Sequence, residues 1–202
     1  CKNSGEITSN SLTGGIIGTI SRYQGVKINK CVNNGIITGQ QYYVGGIVGG
    51  VWQMSIVNVE SCSNYAKINV QLHSSGGIIG AASKTEVLNI EKCSNYGQVT
   101  AQRDNAGGII GIISGDGVSG KLTINCAYNS ANINTVRYAS SGIVGNVCYA
   151  ADATIKNSYN IGKISGISAC GGIIGNISEQ NAKGTVWYSH NIGVISASNG
   201  YK

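Results

Sequence analysis

The sequence contains no proline and no phenylalanine, and only 11% of its 202 residues are charged. The low charge argues against a disordered chain, because hydrophobic residues occupy 42% of the positions and suffice to form a core. Glycine contributes 31 residues, while small polar residues, Ile, Val and Tyr fill most of the rest. This mixture favours short strands and tight turns over helices, since β-branched side chains fit a pleated surface and Gly and Asn tolerate turn geometry.

Segments that would direct the chain to a membrane or a nucleic acid are also missing. No run of about 18 apolar residues occurs, so we expect no membrane insertion. The net charge of +6 comes from Lys and Arg scattered singly, without the basic run that nucleic-acid binding requires, and it favours acidic partners only weakly. No signal-peptide pattern is visible, and the chain begins inside its repeat, so we expect a segment of a longer protein.

The dominant feature of the sequence is a repeat of roughly 31 residues, present in about six and a half copies. Its first landmark is an apolar pair framed by glycine or serine, which recurs at 14–18, 45–49, 76–80, 107–111, 141–145 and 171–175. Its second landmark reads C-x-N-x-G-x-I and begins at Cys1, Cys31, Cys62 and Cys93, with weaker copies from Ala127, Ser158 and Ser189. A repeat of this period predicts one supersecondary unit stacked on the next.

Short stretches of alternating apolar and polar residues lie between the landmarks, for example at 26–29 and 87–90. Alternation is typical of half-buried strands, and no stretch keeps helical spacing. We therefore predict an all-β parallel β-helix, or β-solenoid, with one turn and three short strands per repeat, forming a single domain over 1–202. A β-propeller, a β-prism and a β-roll are the alternatives, and two coils per repeat remain open.

One asparagine survives in every copy of the second landmark, although the Cys and Gly around it are replaced in some copies. In a stacked solenoid these side chains fall above one another, and an amide can both donate and accept a hydrogen bond. We therefore predict a hydrogen-bonded ladder along the axis, formed by Asn3, Asn33, Asn64, Asn95, Asn129, Asn160 and Asn191.

The cysteines follow the repeat rather than a disulfide framework. Cys1, Cys31, Cys62 and Cys93 share one position, and Cys126 precedes the expected position by one residue. We predict a column of buried, reduced thiols, although adjacent turns would allow a bridge. No C-x-x-C pair occurs and the sequence has only two His, so we predict no metal and no cofactor.

Aromatic residues near the glycine-framed pairs are the candidate ligand-binding residues. Tyr and Trp offer large contact areas with few rotatable bonds, although they could equally cover the surface of the solenoid. The spacing between pairs grows to 34 residues around 114–120, which predicts a loop outgrowth suited to binding. The resulting candidates are Tyr42, Tyr43, Trp52, Asp116, Tyr138 and Tyr149.

The second residue of each apolar pair raises a question of orientation. Neighbours in a strand point to opposite faces, so if the first residue points inward the second would form an outward apolar stripe. Another part of the coil could cover this stripe, or it could form a lateral interface with a partner. The residues concerned are Ile17, Val48, Ile79, Ile110, Val144 and Ile174.

Catalytic constellations are scarce in the sequence. Asp104, Asp116 and Asp152 lie in variable segments of nearby turns and could line a groove, as carboxylates do in carbohydrate-active β-helix enzymes. The simpler interpretation is that these aspartates are solvated residues of loops. The two histidines, His73 and His190, have no nucleophilic residue matched to them. We therefore predict that the chain is not an enzyme.

The two landmarks together resemble the GLUG-type repeat of large bacterial surface and secreted proteins, including adhesin-like proteins. This resemblance covers nearly the whole chain and implies an extracellular or cell-surface location, a longer parent chain and a stalk or adhesive role. We expect loops presented to a host or bacterial glycan or to a protein. The alternatives are a filament that self-associates end to end or laterally, and a β-helix carbohydrate-active enzyme.

Overall fold

The computed structural model describes residues 1–22, 24–116, 120–179 and 181–198. These residues form a parallel β-solenoid, which confirms the predicted fold class. Each repeat makes one turn, because residues of successive copies pair with each other, as Val48 pairs with Ile79 and Ile79 with Ile110. Repeats of this kind bury their apolar side chains only by stacking.

Four sheets, named A to D here in chain order, run along the solenoid axis. Sheet A contains seven strands of two residues each: Lys2–Asn3, Val32–Asn33, Ser63–Asn64, Ser94–Asn95, Tyr128–Asn129, Tyr159–Asn160 and His190–Asn191. Sheet B begins with two long strands, Ile7–Gly14 and Ile37–Gly45. In later turns each long strand is divided into a first half (Ile68–Val70, Val99–Ala101, Ile133–Thr135, Ile164–Gly166, Ile195–Ala197) and a second half (His73–Gly76, Asp104–Gly107, Tyr138–Ser141, Ser168–Gly171).

Sheets C and D complete each turn with six strands apiece. Sheet C contains Ile17–Ser21, Val48–Trp52, Ile79–Ser83, Ile110–Ser114, Val144–Cys148 and Ile174–Ser178. Sheet D contains Gly25–Asn29, Ile56–Glu60, Val87–Glu91, Lys121–Asn125, Asp152–Lys156 and Lys183–Trp187. A turn therefore has four or five strands, where the sequence predicted three, because the short asparagine strand and the second half of sheet B were not anticipated.

The predicted asparagine ladder is present along the whole stack. Each Nδ2 donates to Oδ1 of the next turn, at 2.8 Å from Asn64 to Asn95 and 2.8 Å from Asn95 to Asn129. The same Nδ2 of Asn95 also donates to the Gly97 carbonyl at 3.0 Å. A buried amide satisfied in this way fixes the register of each turn against its neighbours. The ladder links Asn3, Asn33, Asn64, Asn95, Asn129, Asn160 and Asn191.

The glycine-framed pair forms a tight corner between sheets B and C, and this corner points inward against the ladder. A Cβ added to Gly77 would lie 2.0 Å from the Gly108 carbonyl oxygen and 2.4 Å from Cγ of Asn95. Only a residue without a side chain fits at this contact. The two sequence landmarks are therefore the two sides of one packing contact.

This contact between ladder and corner divides the interior of each turn into two compartments. The larger hydrophobic cluster fills the compartment bounded by sheets C and D and includes Val48, Val57, Ile90 and Ile110. The smaller cluster lies within sheet B and includes Ile37, Val44 and Ile68. Apolar burial on both sides of the asparagine ladder keeps its hydrogen bonds away from water.

The proposed outward apolar stripe does not exist, and that prediction was wrong. Val48, Ile79, Ile110 and Val144 are fully buried in the larger cluster, as are the residues that precede them. The first residue of each pair lies in the bend of the corner and not in a strand, so the alternation of sides does not apply to it. The two end members, Ile17 and Ile174, are partly buried and pack on the same cluster.

The cysteine column is confirmed for Cys31, Cys62 and Cys93, which are buried and free, whereas Cys1 in the first turn is exposed. Contact with the Cys62 thiol, followed by burial, raises the pKa of Cys93, so this thiol stays protonated. Cys126 is exposed, and the buried position of its turn belongs to Ala127. The buried position at the start of the second landmark therefore requires a small side chain, such as Cys or Ala.

A candidate ligand-binding groove

The inward corner leaves a cleft on the outside of the solenoid, between the second half of sheet B and sheet C. Glycines form its floor: a Cβ added to Gly80 would lie 2.6 Å from the backbone nitrogen of Val44. Because the two sheets diverge from this contact, side chains further from the corner line an open space. We call the part of the cleft between Trp52 and Tyr149 the aromatic groove; its volume is about 320 Å³.

A pair of rings from the second turn forms one wall of the aromatic groove. Tyr43 and Trp52 meet edge to face, with ring centroids 5.1 Å apart and an interplanar angle of 69°. The other turns carry smaller residues at the position of Trp52, namely Ser21, Ser83, Ser114, Cys148 and Ser178. Tyr43 has a left-handed φ of 63°, which turns its side chain toward the groove from a bulge in sheet B.

The groove opens at one position of sheet C. The residues that occupy this position in successive turns form a column, and the column carries its smallest residues at the opening. Gly50 and Ala81 occupy this column in the second and third turns, whereas Ile112 and Asn146 occupy it in the next two. Trp52 lies over Gly50, since a Cβ there would meet its Nε1 at 2.8 Å. Ala81 and Ile112 both line the groove, and Ala81 is itself buried at 1% exposure.

Besides the ring hydroxyls, His73 and the Ser114 hydroxyl, the polar groups of the aromatic groove lie at two hydrogen-bonded points. The Ser83 hydroxyl donates to Oδ2 of Asp116 at 2.6 Å. Asn105 is 9% exposed and donates from Nδ2 to the Ser74 hydroxyl at 3.5 Å, while its Oδ1 is buried without a hydrogen-bond partner among the described residues. A concave, mostly apolar cleft with a few fixed polar groups is the usual form of a small-ligand site.

The ionisable groups of the groove are perturbed mainly by burial. Burial, followed by the neighbouring Tyr42 hydroxyl and the Asp116 carboxylate, raises the pKa of Tyr43. Burial also raises the pKa of Cys148 to about 11. The Cys148 thiol is therefore protonated at neutral pH and is not an activated nucleophile.

His73 lies at the edge of the groove in a column with Tyr42 and Asp104 on sheet B. Its ring stacks on that of Tyr42 with centroids 5.7 Å apart, and its Nδ1 lies 2.9 Å from Oδ2 of Asp104. Burial lowers the pKa of His73 and outweighs the opposite effect of Asp104, so the imidazole is neutral near pH 7. This pairing holds the ring in one orientation beside the aromatic residues.

The structure brings together five of the six predicted ligand-binding residues. Tyr42, Tyr43, Trp52, Asp116 and Tyr149 all line the aromatic groove. Tyr138 lies in a second, shallower groove, with Arg137 and Asn146. The sequence did not predict Asn105, Ser83 or Ala81, and only the small size of Ala81 at a column that later holds Ile112 could have indicated the opening.

The three aspartates considered for catalysis are not brought together. Asp116 lines the aromatic groove, Asp104 lines the second groove, and Asp152 pairs in sheet D between Lys121 and Lys183. Among the described residues, no group of three or more His, Cys, Asp or Glu is placed to hold a metal ion.

A column of exposed rings on sheet A was also missed by the sequence analysis. Tyr65 and Tyr96 each follow their sheet A strand directly and stack with centroids 4.7 Å apart at an interplanar angle of 8°. Tyr128, which pairs with Ser94, lies beside Tyr96 with its ring tilted by 56°. The stacking of Tyr65 on Tyr96 adds to the contact between these two turns.

No family model, curated protein or solved structure matches the chain. In the part of the chain that the structure describes, no helix is long and apolar enough to cross a membrane.

Proposed function

We propose that the chain is a non-catalytic, glycan-binding module of a bacterial surface or secreted protein, with the aromatic groove as its binding site. The observation that carries this proposal is the Tyr43 and Trp52 wall, which faces a cleft containing Asp116 and Asn105. Aromatic faces and edges pack against the C–H surfaces of sugars, and amide and carboxylate oxygens accept their hydroxyl hydrogens. The resemblance of the repeat to GLUG-type proteins supports the surface location.

The rigidity of the solenoid also favours a binding role. Tyr43 and Trp52 lie on strands paired on both sides, so little conformational entropy is lost when a ligand binds. The 34-residue spacing lengthens the segment between the strands Ile110–Ser114 and Lys121–Asn125, and Asp116 of this segment lines the groove. Residues 117–119 of this predicted loop lie outside the described part of the chain.

A glycan array followed by calorimetric titration of the bound sugars tests the proposal. Trp52→Ala should weaken binding by more than about tenfold, as expected for removing a central aromatic contact. Trp187→Ala is the matched control, because Trp187 is 57% exposed in sheet D and lies outside the groove. The proposal fails if no array sugar binds or if Trp52→Ala binds as tightly as the control.

A second candidate function is end-to-end assembly of several copies, which one end of the stack favours. In the last turn Ile192 is 81% exposed and Val194 is 65% exposed. A further turn stacked on this surface would cover both side chains, and we propose that a second copy of the chain supplies it. The lateral alternative has no support, since its stripe is buried.

Sedimentation over a range of protein concentrations tests this candidate. We expect larger species as the concentration rises, and their loss in Ile192→Lys. Ile36→Lys is the control, because Ile36 is 47% exposed but lies in the second turn, away from that end. A chain that sediments as a monomer at every concentration would exclude end-to-end assembly.

A further inference from the structure

We propose that the aromatic groove selects an ammonium-bearing sugar, so that its preferred ligand is a glycan containing free amino sugars such as glucosamine. This inference rests on the proposed glycan-binding function and adds the chemical class of the sugar. It follows from the charges, rings and unpaired acceptor that the groove brings together.

The local charge of the groove is negative, although the whole chain carries +6. Among the described residues, Asp116 has a hydrogen bond from Ser83 but no ion pair. No Lys or Arg of the described part of the chain lines the groove. The one imidazole at its edge, His73, is engaged by Asp104 through Nδ1. A cation in the groove would therefore meet an uncompensated negative charge at close range.

The rings add a second attraction for a cation. Tyr42, Tyr43, Trp52 and Tyr149 surround the space, and Tyr43 and Trp52 present their rings at 69° to each other. Ammonium groups are attracted to the faces of Trp and Tyr rings when they lie within about 6 Å of the centroid. A neutral sugar would gain packing from these rings but not this electrostatic contribution.

Asn105 supplies a third, independent observation. Its side chain is 9% exposed, it lines the groove, and its Oδ1 has no hydrogen-bond partner among the described residues. This oxygen is itself shielded from solvent, so a ligand donor reaches it only after a small shift of the Asn105 side chain. An ammonium group carries three donors and no acceptor, which suits the Asp116 carboxylate oxygens, since they accept hydrogen bonds.

An acidic sugar does not fit this site. Its carboxylate would face Asp116, and like charges at short range oppose binding. The cations on this side of the solenoid, Arg103 and Arg137, are exposed, and Arg137 lines the second groove. A neutral sugar fits sterically but leaves the Asp116 charge without a partner.

Calorimetric titration with two matched oligosaccharides tests the inference. We would compare the β-1,4-linked tetramer of glucosamine with the tetramer of N-acetylglucosamine, which has the same length and linkage but no ammonium groups. The glucosamine tetramer should bind at least about tenfold more tightly, the factor expected for one charge-assisted contact. Equal or tighter binding of the acetylated tetramer would overturn the inference and leave the glycan-binding function standing.

Substitution of the carboxylate assigns the preference to the groove. Asp116→Asn should remove the preference for glucosamine over the acetylated tetramer, because an amide keeps the size and loses the charge. Asp152→Asn, which removes an acid from sheet D, is the control for net charge and should retain the preference. An unchanged preference in Asp116→Asn would contradict the inference, whereas failure of both tetramers to bind the native chain would count against the proposed function itself.

Discussion

The asparagine ladder and the aromatic groove lie on opposite sides of the inward corner and are built from the same repeat, yet they use it differently. The ladder has asparagine in every turn, from Asn3 to Asn191. The groove is lined by columns whose residue changes from turn to turn, as from Gly50 to Ala81 to Ile112. Where the repeat is strict, turns stack on one another, and where it departs from its pattern, a site becomes possible.

The physical reason lies in what each position contacts. A ladder residue contacts its equivalents in the turns on either side, so a change at one turn leaves two neighbours without partners. A groove residue contacts solvent or ligand on one side, so its replacement is less costly to the fold. Strict repetition therefore indicates a structural role and variation permits binding.

Breaking the ladder should have the largest effect on stability. Asn95→Ala removes the acceptor for Asn64, the donor for Asn129 and the bond to the Gly97 carbonyl. With buried polar groups left unpaired, we expect a loss of about 4 kcal/mol in the free energy of unfolding, measured by denaturant titration.

The matched control for the ladder is Asn89→Ala in the same repeat. Asn89 also donates to an asparagine of the neighbouring turn, Asn58, at 3.0 Å, but both are only partly buried on sheet D. We expect a loss of under about 1 kcal/mol. Similar losses for the two variants would show that the buried ladder has no special role.

Adding a methyl group to a corner glycine that packs against the ladder should have the next largest effect on stability. Gly77→Ala places a methyl group 2.0 Å from the Gly108 carbonyl oxygen, and neighbouring backbone must move. We expect a loss of about 3 kcal/mol in denaturant titrations. Gly5→Ala is the control, since its Cβ would meet only Oδ1 of Asn3 at 3.8 Å. A Gly77→Ala protein as stable as the control would refute the inward corner.

Much of this architecture could be predicted from the sequence, because its causes recur in every copy. The period, the one-turn repeat and the ladder follow from the fixed spacing of asparagine and glycine. The inward direction of both apolar residues, Ile78 and Ile79, could not be predicted, since it depends on a bend that removes the first from strand geometry.

Another unpredicted feature is the left-handed backbone in the second half of sheet B. It occurs at Leu12, Tyr43, Ser74, Asn105, Ala139 and Ala169. No glycine occupies this column, and the residue types share no preference for a positive φ apart from Asn105. The packing of the solenoid imposes the conformation, so no local signal revealed that Tyr43 and Asn105 would face the groove.

Filling the groove at Ala81 should weaken binding and also lower stability. Ala81→Ile gives the third turn the residue that Ile112 provides in the fourth, within the same column of sheet C. We expect glycan affinity to fall by more than about tenfold, because the side chain occupies the ligand's space. The free energy of unfolding should fall by about 1–3 kcal/mol, since Ala81 is only 1% exposed and the added methyl groups crowd their neighbours.

Calorimetry and denaturant titration of the same preparation separate these two effects. Ile112→Ala is the complementary variant, because it lengthens the groove toward Asn146. Binding retained in Ala81→Ile would mean that the ligand does not enter the space above Ala81.

The smallest effect should come from the exposed ring column of sheet A. Tyr96→Ala removes the stacking with Tyr65, and the two side chains are 43% and 55% exposed. We expect a loss of about 0.5–1 kcal/mol in the free energy of unfolding and unchanged glycan affinity. Loss of binding in Tyr96→Ala would show that sheet A, rather than the groove, contacts the ligand.

The most direct test of the groove uses the two tryptophans of the chain. Trp187→Phe leaves Trp52 as the single indole, in contact with Tyr43 at the wall of the groove. Titration of this variant with the glucosamine tetramer should change the Trp52 emission in a saturable manner, with the dissociation constant that calorimetry gives for the same variant. Calorimetric binding without any change in Trp52 emission would contradict the assignment of the site.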